Sequence, residues 1–564
     1  MTMFCDKSNV NILTAYMAAY GIRHVVVCPG SRNAVLVHNF AVCDAFTCHA
    51  VTDERSAAFV ALGMAASLSA PVAVCVTSGT ALLNTLPAIA EAHYRQLPLL
   101  IISADRPQQW IGQQDGQTLP QPHALAPYAA YSAQVHELTN EASRIWLCRM
   151  LNEAFLALPH GPVHLNVPVT EPLFSFTTSQ LPPVRPVSRY EPTTKAQLPD
   201  EIIERLREAR CPILVVGQID GLRIDDELRG LVGSGAILVL PEALSGLPGN
   251  HRTKVLEEIG PESVFKPDLV LHVGGTFVNK QVKLYLRRAD ADIVRIGQDN
   301  GLVDTFNHLT AVVPLTATDG LHAIAHAARN MPEKETVRHA MDYLRTFQTV
   351  PQRFCTNMLN DLGIIQKAFE YMRELPGHLH LANSNSVRNA LHFVDGYPFP
   401  IYCNRGTNGI EGTLSTAVGH ALASDSPVYV IIGDLSFFYD QNALWNSELR
   451  GNLRILLLNN SGGQIFSTLP GLGESPAAHK YVAAAHHTSA RGIANSYGVN
   501  YLSVKRTDEL DCAMAAWSRP GESRPVLLEA FTTPTDNDAA AKMMHRIYVQ
   551  HMKQSSENTP NLCE

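Results

Sequence analysis

The stretch "VIIGDLSFFYDQNALWNSELRGNLRILLLNNSGGQIF", which runs from Val430 to Phe466, contains two apolar runs that each end on a polar turn. The first run ends at Gly433-Asp434, and the second ends at Asn459-Asn460, which is soon followed by two glycines. Buried runs of this length, separated by a helical segment, are typical of neighbouring parallel strands. Because the carboxyl ends of parallel strands meet at one edge of a sheet, we expect the two polar turns to lie close together.

The same alternation extends through the rest of the chain. Short apolar runs, many of them β-branched, alternate with Ala-rich helical patterns. Near-continuous apolar strands separated by helices predict parallel sheets covered by helices on both faces, so the expected fold class is α/β. The runs are "HVVVCPGS", "PVAVCVTSGTA", "PLLIISADRP", "CPILVVGQ", "AILVLPEA", "DLVLHVGG", "ADIVRIGQ", "LHLANSNS", "PVYVIIGDLS", "LRILLLNN" and "PVLLEAF".

The length of 564 residues and the hydrophobic content of 46% predict several domains. A segment rich in Pro, Thr and Ser near residues 177–199 is typical of an extended linker, and a second, more helical joint lies near residue 360. We therefore predict three domains, at residues 1–185, 195–360 and 361–564. The first and third domains share the order strand, small-residue turn, helix, in "VAVCVTSGTALLN" and "VYVIIGDLSFFYD". This predicts two similar domains flanking a different middle domain.

The charge balance favours small ligands over macromolecular ones. The chain has 44 Lys and Arg against 52 acidic residues, a net charge of −8, without long runs of like charge. This argues against a nucleic-acid or anionic-membrane partner. No stretch reaches the roughly 18 apolar residues of a membrane span, and the N-terminus lacks a signal-like apolar core. The 11 cysteines form no Cys-x-x-Cys pair, so we expect free thiols and a cytoplasmic protein.

The two polar turns carry the oxygen ligands that Mg²⁺ prefers in proteins. Asp434 supplies a carboxylate, Asn460 supplies an amide oxygen, and the backbone carbonyl of Gly462 could supply a third ligand. A helix that begins after Leu435-Ser436 would direct its free N–H groups at a diphosphate. The alternative is a helix-capping aspartate and an ordinary Asn-Asn-Ser-Gly-Gly turn.

Gly433-Asp434 followed by Asn459-Asn460 resembles the signature of thiamine-diphosphate enzymes, in which Gly-Asp-Gly precedes Asn-Asn; Leu435 replaces the third glycine. The resemblance implies thiamine diphosphate held through Mg²⁺, with Mn²⁺ as the alternative ion. It also implies an activating glutamate that bonds the pyrimidine N1′. Glu54 in "TDERSAAF" is the candidate, although a helix dipole also favours an acid in the first turn. Ile410 in "NRGTNGIEG" would lie under the bent cofactor, or else is a loop residue packed into the core.

Further motifs narrow the resemblance, namely "CPGSRN", "TSGTA", "SADRP", "ANSNSVR", "GDLSFFYD" and "NNSGGQIF". They resemble the 2-succinyl-5-enolpyruvyl-6-hydroxy-3-cyclohexene-1-carboxylate synthase family of menaquinone biosynthesis, in which Gly-Asp-Leu-Ser is the usual form. The resemblance implies decarboxylation of 2-oxoglutarate and addition of the succinyl carbanion equivalent to isochorismate. One alternative is another thiamine-diphosphate 2-oxo acid lyase, such as a decarboxylase or acetolactate synthase. The other is an inactive binding protein that keeps the cofactor-shaped site.

The resemblance also implies which residues form the site. The substrates together carry three carboxylates, which arginine binds bidentately. Each arginine taken singly could equally be a surface residue near a strand end, and Ile465 and Phe466 could equally be core residues. The 2-oxoglutarate group is Ser384, Arg388 and Arg405; the isochorismate group is Ser31, Arg32, Arg106, Gln117 and Lys280; the cofactor group is Pro29, Glu54, Ile410, Asp434, Leu435, Ser436, Asn460, Gly462, Ile465 and Phe466.

Two departures from the family pattern stand out. Gln281 follows Lys280 where the family has arginine, so either glutamine donates a neutral hydrogen bond or the register differs. Ser461 follows the Asn-Asn pair with no evident consequence. Because Glu54 and Asp434 lie in different predicted domains, the resemblance implies a homodimer or homotetramer with the active site at a subunit interface.

Overall fold

A computed structural model describes residues 3–190, 196–299, 301–469 and 471–556. It contains three sheets, of six, five and six strands, in which every pair of neighbouring strands is parallel. Helices cover the sheets, and most central strands are buried along their whole length. The predicted α/β class with three parallel sheets is therefore confirmed.

The first sheet and its helices span the N-terminal third. Its strands are β1 (His24–Val27), β2 (Thr47–Ala50), β3 (Val72–Val76), β4 (Leu99–Asp105), β5 (Tyr131–Gln134) and β6 (Val163–Pro168). Its helices are α1 (Ser8–Ala19), α2 (Ala34–Val42), α3 (Glu54–Leu68), α4 (Thr80–Asn84), α5 (Leu86–Arg95) and α6 (Glu141–Ala157).

The second sheet is built from the middle of the chain. Its strands are β7 (Pro212–Val216), β8 (Leu238–Pro241), β9 (Leu269–Val273), β10 (Asp292–Ile296) and β11 (Leu309–Val313). The helices are α7 (Asp200–Glu208), α8 (Asp226–Gly233), α9 (His251–Ile259), α10 (Lys280–Leu286), α11 (Ala317–Arg329) and α12 (Glu335–Arg345).

The third sheet follows helix α13 (Asp361–Met372). Its strands are β12 (His378–Leu381), β13 (Ile401–Tyr402), β14 (Val428–Gly433), β15 (Leu453–Asn459), β16 (Asn500–Val504) and β17 (Val526–Phe531). The remaining helices are α14 (Asn385–Ala390), α15 (Thr413–Ala423), α16 (Asp434–Tyr439), α17 (Arg491–Ser496), α18 (Leu510–Ser518) and α19 (Pro534–Ser556).

The first and third sheets have the same topology. Their strand orders are β2-β1-β3-β4-β6-β5 and β13-β12-β14-β15-β17-β16, which are identical when each sheet is numbered from its own first strand. The middle sheet differs, with the order β11-β10-β9-β7-β8. The sequence pattern that the first and third domains share therefore corresponds to a shared strand order. The boundaries at residues 185, 195 and 360 stay predictions, and residues 191–195 of the expected linker lie outside the described residues.

Helices α3 and α15 connect the first and third domains through a close crossing. A Cβ atom on Gly63 would lie 1.9 Å from the carbonyl oxygen of Thr416, and one on Gly419 would lie 1.9 Å from the carbonyl oxygen of Val60. Glycine at both positions therefore lets the two backbones touch. Since α3 begins at Glu54, this crossing also fixes the position of a candidate catalytic residue.

We expect Gly419→Ala to lower the free energy of unfolding by about 1–3 kcal/mol, because the added methyl group forces the two helices apart. Urea denaturation of both proteins measures the difference. Gly230→Ala in α8 is the matched control, since no atom lies within 4 Å of its Cβ position. That control should gain up to about 1 kcal/mol. Equal stabilities of the Gly419 variant and the wild-type protein would contradict the close crossing.

A buried polar network in the first domain supports the loop that carries Gln117. His164 lies between the hydroxyl groups of Ser103, at 2.8 Å, and Ser132, at 3.3 Å. The same Ser103 hydroxyl donates to Asn166, which accepts from Gln121, and Gln121 in turn accepts from the N–H of Gly79. Burial lowers the pKa of His164 to about 4.

The lowered pKa of His164 predicts a loss of stability in acid. Between about pH 6.5 and 4 the unfolded chain binds a proton that the folded protein excludes, so the stabilisation is complete above pH 6.5 and is lost as the pH falls. We expect the stability difference between the wild-type protein and His164→Gln to shrink by about 3 kcal/mol from pH 7 to pH 4. Urea denaturation across this range measures it, and a pH-independent difference would disprove it.

Candidate active site

Asp434 lies at the carboxyl end of β14 and is buried. Its Oδ1 accepts a hydrogen bond from the N–H of Leu435 at 2.6 Å, and its Oδ2 accepts one from the N–H of Gly462 at 2.9 Å. Burial raises the pKa of Asp434, and the two N–H groups and the nearby His486 oppose that rise only in part. A cation at this position would stabilise the charged carboxylate.

Helix α16 begins at Asp434 itself, whereas the sequence placed its start after Ser436. The difference arises because Gly433 is extended, with φ −79° and ψ 162°, and precedes the helix as its N-cap. The Ser436 hydroxyl donates to the carbonyl oxygen of Ile410. This bond attaches the loop that carries Ile410 to the turn that carries Asp434.

Asn460 follows β15 directly, beside the Asp434 turn. Strands β14 and β15 are paired so that Gly433 lies opposite Leu458, which brings the two polar turns to the same edge of the sheet. The bond from Gly462 to Asp434 closes the gap between the turns. This agrees with the expectation from the two apolar runs.

The donor set at this edge fits a hard divalent cation. The side-chain oxygen of Asn460 is buried and has no hydrogen-bond partner among the residues that the structure describes. Leaving a buried acceptor unmatched costs about 1–3 kcal/mol, which a bound ligand would recover. Gly462 has φ +148°, and a Cβ there would lie 2.7 Å from the carbonyl oxygen of Ala483, so the turn requires glycine. One carboxylate, one free amide oxygen and one backbone carbonyl are typical of a Mg²⁺ site.

A cationic pair contacts the turn that follows β12, the strand next to β14. The Arg388 guanidinium donates to the carbonyl oxygen of Ser384 at 2.8 Å, and Arg405 donates to the side chain of Asn383 at 3.0 Å. Desolvation and the neighbouring Arg405 lower the pKa of Arg388. Within the described ranges neither arginine forms an ion pair, and Nε of Arg405 is buried without a partner. Glu257 and Glu242 act on Arg388 and Arg405 only through their charges, and two adjacent cations that form no ion pair favour the binding of an anion.

The loop that carries Arg405 and Ile410 is held from two sides. From the same domain, the amide of Asn383 donates to the carbonyl oxygens of Asn404 and Gly409, both at 2.6 Å. Ile410 itself is 39% exposed, so its side chain is not part of the core. A bulky aliphatic group is therefore exposed on the loop that the Ser436 hydroxyl joins to the Asp434 turn.

From the first domain, Glu91 of α5 holds the same loop. Its fully buried carboxylate accepts hydrogen bonds from the N–H of Gly406 at 2.9 Å and from the N–H and hydroxyl of Thr407 at 2.7 and 3.0 Å. Arg95, one turn later, bridges Asp220 of the middle domain and Asn404. Three domains therefore converge on this loop.

Glu54 begins α3 and is half-buried. Asp53 is the N-cap and accepts from the N–H groups of Arg55 and Ser56, so capping does not require Glu54. Oε2 of Glu54 accepts a hydrogen bond from Asn84 at 3.1 Å. In the described part of the chain no hydrogen bond or ion pair joins Glu54 to Asp434 or Asn460.

Comparisons with known proteins give the family. The N-terminal TPP binding domain of thiamine pyrophosphate enzymes matches residues 9–125, and the C-terminal TPP binding domain matches residues 386–530. Two proteins named 2-succinyl-5-enolpyruvyl-6-hydroxy-3-cyclohexene-1-carboxylate synthase, from Phocaeicola vulgatus and Bacteroides thetaiotaomicron, are 41% identical to this chain. The alignments cover 94% of this chain and 96% and 97% of these relatives. A synthase of the same name from Desulfotalea psychrophila is 35% identical, over 94% of this chain and 99% of its own.

The chain belongs to this synthase family. Membership confirms the resemblance seen in the motifs, and it favours the synthase over another 2-oxo acid lyase. The first match includes strands β1 to β4 of the first sheet, and the second includes β13 to β16 and most of β17 of the third sheet, so the thiamine-binding folds lie in the first and third domains, as the sequence predicted. No helix among the described residues has the length and apolarity needed to cross a membrane.

The synthase residues expected near isochorismate lie at the carboxyl ends of β1 and β4. Arg32 is buried and donates to the carbonyl oxygen of Val169 and to Glu171, at 3.2 and 3.0 Å. Arg106 donates to the carbonyl oxygen of Gly116 at 2.9 Å and pairs with Asp115 at 3.1 Å. Pro29, Ser31 and Gln117 are exposed, and Ile465 and Phe466 are half-buried in the 3₁₀ turn Gln464–Thr468.

A different lysine of the middle domain, Lys283, lies close enough to Arg405 for the two positive charges to interact. Lys280 is exposed at the start of α10, and the N–H of Gln281 donates to Glu257 at 3.2 Å. Lys283, one turn later, is partly desolvated, and its pKa is lowered by burial and by the positive charges of Arg287 and Arg405. The family pattern does not point to Lys283, although its place one turn after Lys280 on the same helix is a usable signal.

A buried acid accompanies Lys283. Glu242 follows β8, accepts from the N–H of Asn279 at 2.8 Å, and has one oxygen without a partner among the described residues. Burial raises the pKa of Glu242 to about 7, against the opposing hydrogen bonds from Asn279 and Val278 and the charge of Arg405. The middle domain therefore contributes both a base and an acid near the pair of arginines.

Proposed function

We propose that this chain decarboxylates 2-oxoglutarate and adds the resulting four-carbon unit to isochorismate, giving 2-succinyl-5-enolpyruvyl-6-hydroxy-3-cyclohexene-1-carboxylate. The observation that carries the proposal is the pair Arg388 and Arg405, which contact the turn after β12 and form no ion pair with any described residue, beside the Asp434 and Asn460 turns. A substrate with a second, distal carboxylate accounts for two cations there. Pyruvate has no group for them.

The cofactor of this proposal is thiamine diphosphate held through Mg²⁺, or Mn²⁺ in its place. The Asp434 carboxylate, the free oxygen of Asn460 and the carbonyl of Gly462 would bind the metal ion, and Leu435 and Ser436 would lie along the diphosphate. When bound, thiamine diphosphate supplies the electron sink needed for decarboxylation and carbon–carbon bond formation. The protein supplies geometry, charge and a proton-transfer group.

The chain's own groups then have distinct roles. Glu54 would hydrogen-bond the pyrimidine ring of the cofactor and supply its proton-transfer group. Ile410 would pack its aliphatic side chain against the bound cofactor. Arg388, Arg405 and Ser384 bind the distal carboxylate of 2-oxoglutarate. Ile465 and Phe466 would limit the access of water to the reacting carbon, and Pro29 would contact the cofactor.

The second substrate binds to groups from two domains in this proposal. Ser31, Arg32, Arg106 and Gln117 face isochorismate from the first domain, and Lys280 faces it from the middle domain. Arg32 and Arg106 already have acid partners in the structure, so each would be shared with a substrate carboxylate or exchange its partner for one. Lys283 adds positive charge to the same region.

We further propose that the active site forms between two copies of the chain, in a homodimer or homotetramer. Among the described residues, no hydrogen bond or ion pair joins Glu54 to the Asp434 turn of its own chain. A surface beside Glu54 is apolar and open: Leu83, Tyr439 and Trp445 are 42%, 50% and 54% exposed, and the Arg55 guanidinium lies 4.4 Å from the centre of the Tyr439 ring. Exposed apolar groups of this size are typical of protein interfaces. Sedimentation velocity over a range of concentrations tests the assembly.

The free thiols of the ten described cysteines favour a cytoplasmic location.

The activity itself is tested by supplying 2-oxoglutarate or pyruvate, each with and without isochorismate, in the presence of thiamine diphosphate and Mg²⁺. We expect carbon dioxide and the adduct from 2-oxoglutarate with isochorismate. A preference for pyruvate would replace the proposal with a decarboxylase or acetolactate-synthase activity. Cofactor binding without turnover of either acid would indicate a binding protein.

A further inference from the structure

Asp361, the first residue of α13, forms a directional hydrogen-bond network with the start of α19. Its backbone N–H donates to Oδ1 of Asn537 at 2.7 Å. Because a backbone N–H can only donate, the orientation of the Asn537 amide is fixed, and its nitrogen then donates to the Thr532 hydroxyl at 3.2 Å. The Thr532 hydroxyl therefore directs its own proton to Oδ1 of Asp361, at 2.7 Å.

The same network fixes the orientation of Asn460. The second oxygen of Asp361, Oδ2, lies 3.2 Å from the amide nitrogen of Asn460. An Asp carboxylate offers only acceptors, so the amide must turn its NH₂ group toward Asp361 and its oxygen away from it. Both side chains are buried, at 3% and 8% exposure, so water does not compete for these bonds. The Asn460 oxygen that turns away from Asp361 is the atom that has no hydrogen-bond partner among the described residues.

We propose that Asp361 is a positioning residue that orients the Asn460 amide so that its oxygen is presented to the divalent cation. The inference rests on the proposed function, because it assumes that a cation binds at Asp434 and Asn460. Asp361 does not touch the cation. It acts by making one of the two amide orientations unfavourable, as partners of metal ligands commonly do.

The decisive variant is Asp361→Asn, which keeps the shape and inverts one hydrogen bond. The Thr532 hydroxyl still needs an acceptor, so the new amide turns its oxygen to Thr532 and its NH₂ group to Asn460. Asn460 must then turn its own oxygen toward position 361 and away from the cation. We expect the affinity for Mn²⁺, measured by electron paramagnetic resonance at a fixed thiamine diphosphate concentration, to fall about 10- to 100-fold.

A double variant, Asp361→Asn with Asn460→Asp, reverses the pair. The amide at position 361 now donates to the carboxylate at position 460, whose other oxygen is free for the metal ion. We expect Mn²⁺ affinity to recover to within about threefold of the wild-type value, a recovery that a general loss of stability at position 361 would not produce. If the single variant fails to fold, the double variant must still fold and bind Mn²⁺ for the proposal to stand.

Asp268→Asn is the control for the exchange of acid for amide. The Asp268 carboxylate likewise accepts two hydrogen bonds, in its case from the backbone N–H groups of Arg210 and Cys211, but Asp268 lies in the middle domain. Its Mn²⁺ affinity should match the wild-type value. Wild-type affinity in the Asp361 single variant, or no recovery in the double variant, overturns the positioning role. No thiamine-dependent Mn²⁺ binding by the wild-type protein would instead overturn the proposed function.

Discussion

Glu54→Gln is expected to lower kcat by about 10²- to 10⁴-fold, the usual contribution of general acid–base catalysis. Glutamine has the same shape and can still accept the hydrogen bond that Asn84 donates to Glu54. It cannot exchange a proton at neutral pH, so the loss should appear in turnover and not in cofactor binding. Steady-state kinetics measures the first, and calorimetric titration of thiamine diphosphate in the presence of Mg²⁺ measures the second.

The adjacent acid provides a matched control. Asp53 caps α3 through the N–H groups of Arg55 and Ser56, and asparagine caps helices about as well as aspartate. Asp53→Asn should therefore turn over at close to the wild-type rate. Normal turnover by Glu54→Gln would remove Glu54 from the mechanism. An equal loss in both variants would mean that the start of α3, and not the Glu54 carboxyl group, is what turnover requires.

Arg388→Ala is expected to lower kcat/KM for 2-oxoglutarate roughly 30- to several-thousand-fold. This factor corresponds to a loss of about 2–5 kcal/mol of transition-state stabilisation. The variant leaves one substrate carboxylate facing Arg405 alone. Because Arg388 forms no ion pair in the described chain, its removal breaks no salt bridge, so folding should be little changed. Initial rates over a range of 2-oxoglutarate concentrations, at saturating isochorismate, give the value.

Arg388→Lys separates charge from geometry at the same position. Lysine keeps the positive charge but cannot form the planar two-bond fork, so its loss should lie between those of the wild-type protein and the alanine variant. The KM for isochorismate should change much less than that for 2-oxoglutarate. An unchanged specificity constant for 2-oxoglutarate in Arg388→Ala would assign the distal carboxylate to other residues.

The sequence predicts the fold and the edge of the sheet at which the site lies, because both follow from local pattern. Apolar runs ending at Gly433-Asp434 and Asn459-Asn460 predict adjacent parallel strands, and pairing of β14 with β15 brings these turns together. The sequence pattern shared by the first and third domains likewise corresponds to one strand order that occurs in both sheets. Periodicity and turn residues are sufficient for this part.

The contacts that hold the site could not be predicted, because they join residues far apart in sequence. Glu91 meets Gly406 across a separation of 315 positions. Its sequence context, an acid in "AIAEAHYRQ" four residues before Arg95, indicates only a helical ion pair. Asp361 is similar: at the start of a helix it is an ordinary first-turn acid, and only the fold shows that it faces Asn460.

The middle domain shows a different limit. The family pattern assigns a role to Lys280, whereas the structure leaves Lys280 exposed and brings Lys283 under the influence of Arg405. The Asn279 side chain caps α10 by accepting from the N–H of Val282, and this cap sets which face of the helix turns inward. A short helix gives little periodic signal, so sequence alone does not fix that face.

The hydrogen bonds that Gly406 and Thr407 donate to Glu91 limit how the enzyme can be divided into fragments or recombined with a relative. A fragment containing only residues 361–564 would keep the cation ligands but lose the carboxylate that anchors the Arg405 segment, so it should bind acidic substrates poorly even if it folds. Chimaeras that exchange the last third of the chain between relatives should therefore exchange α5 as well. Substrate selectivity depends on residues of the first domain together with those of the third.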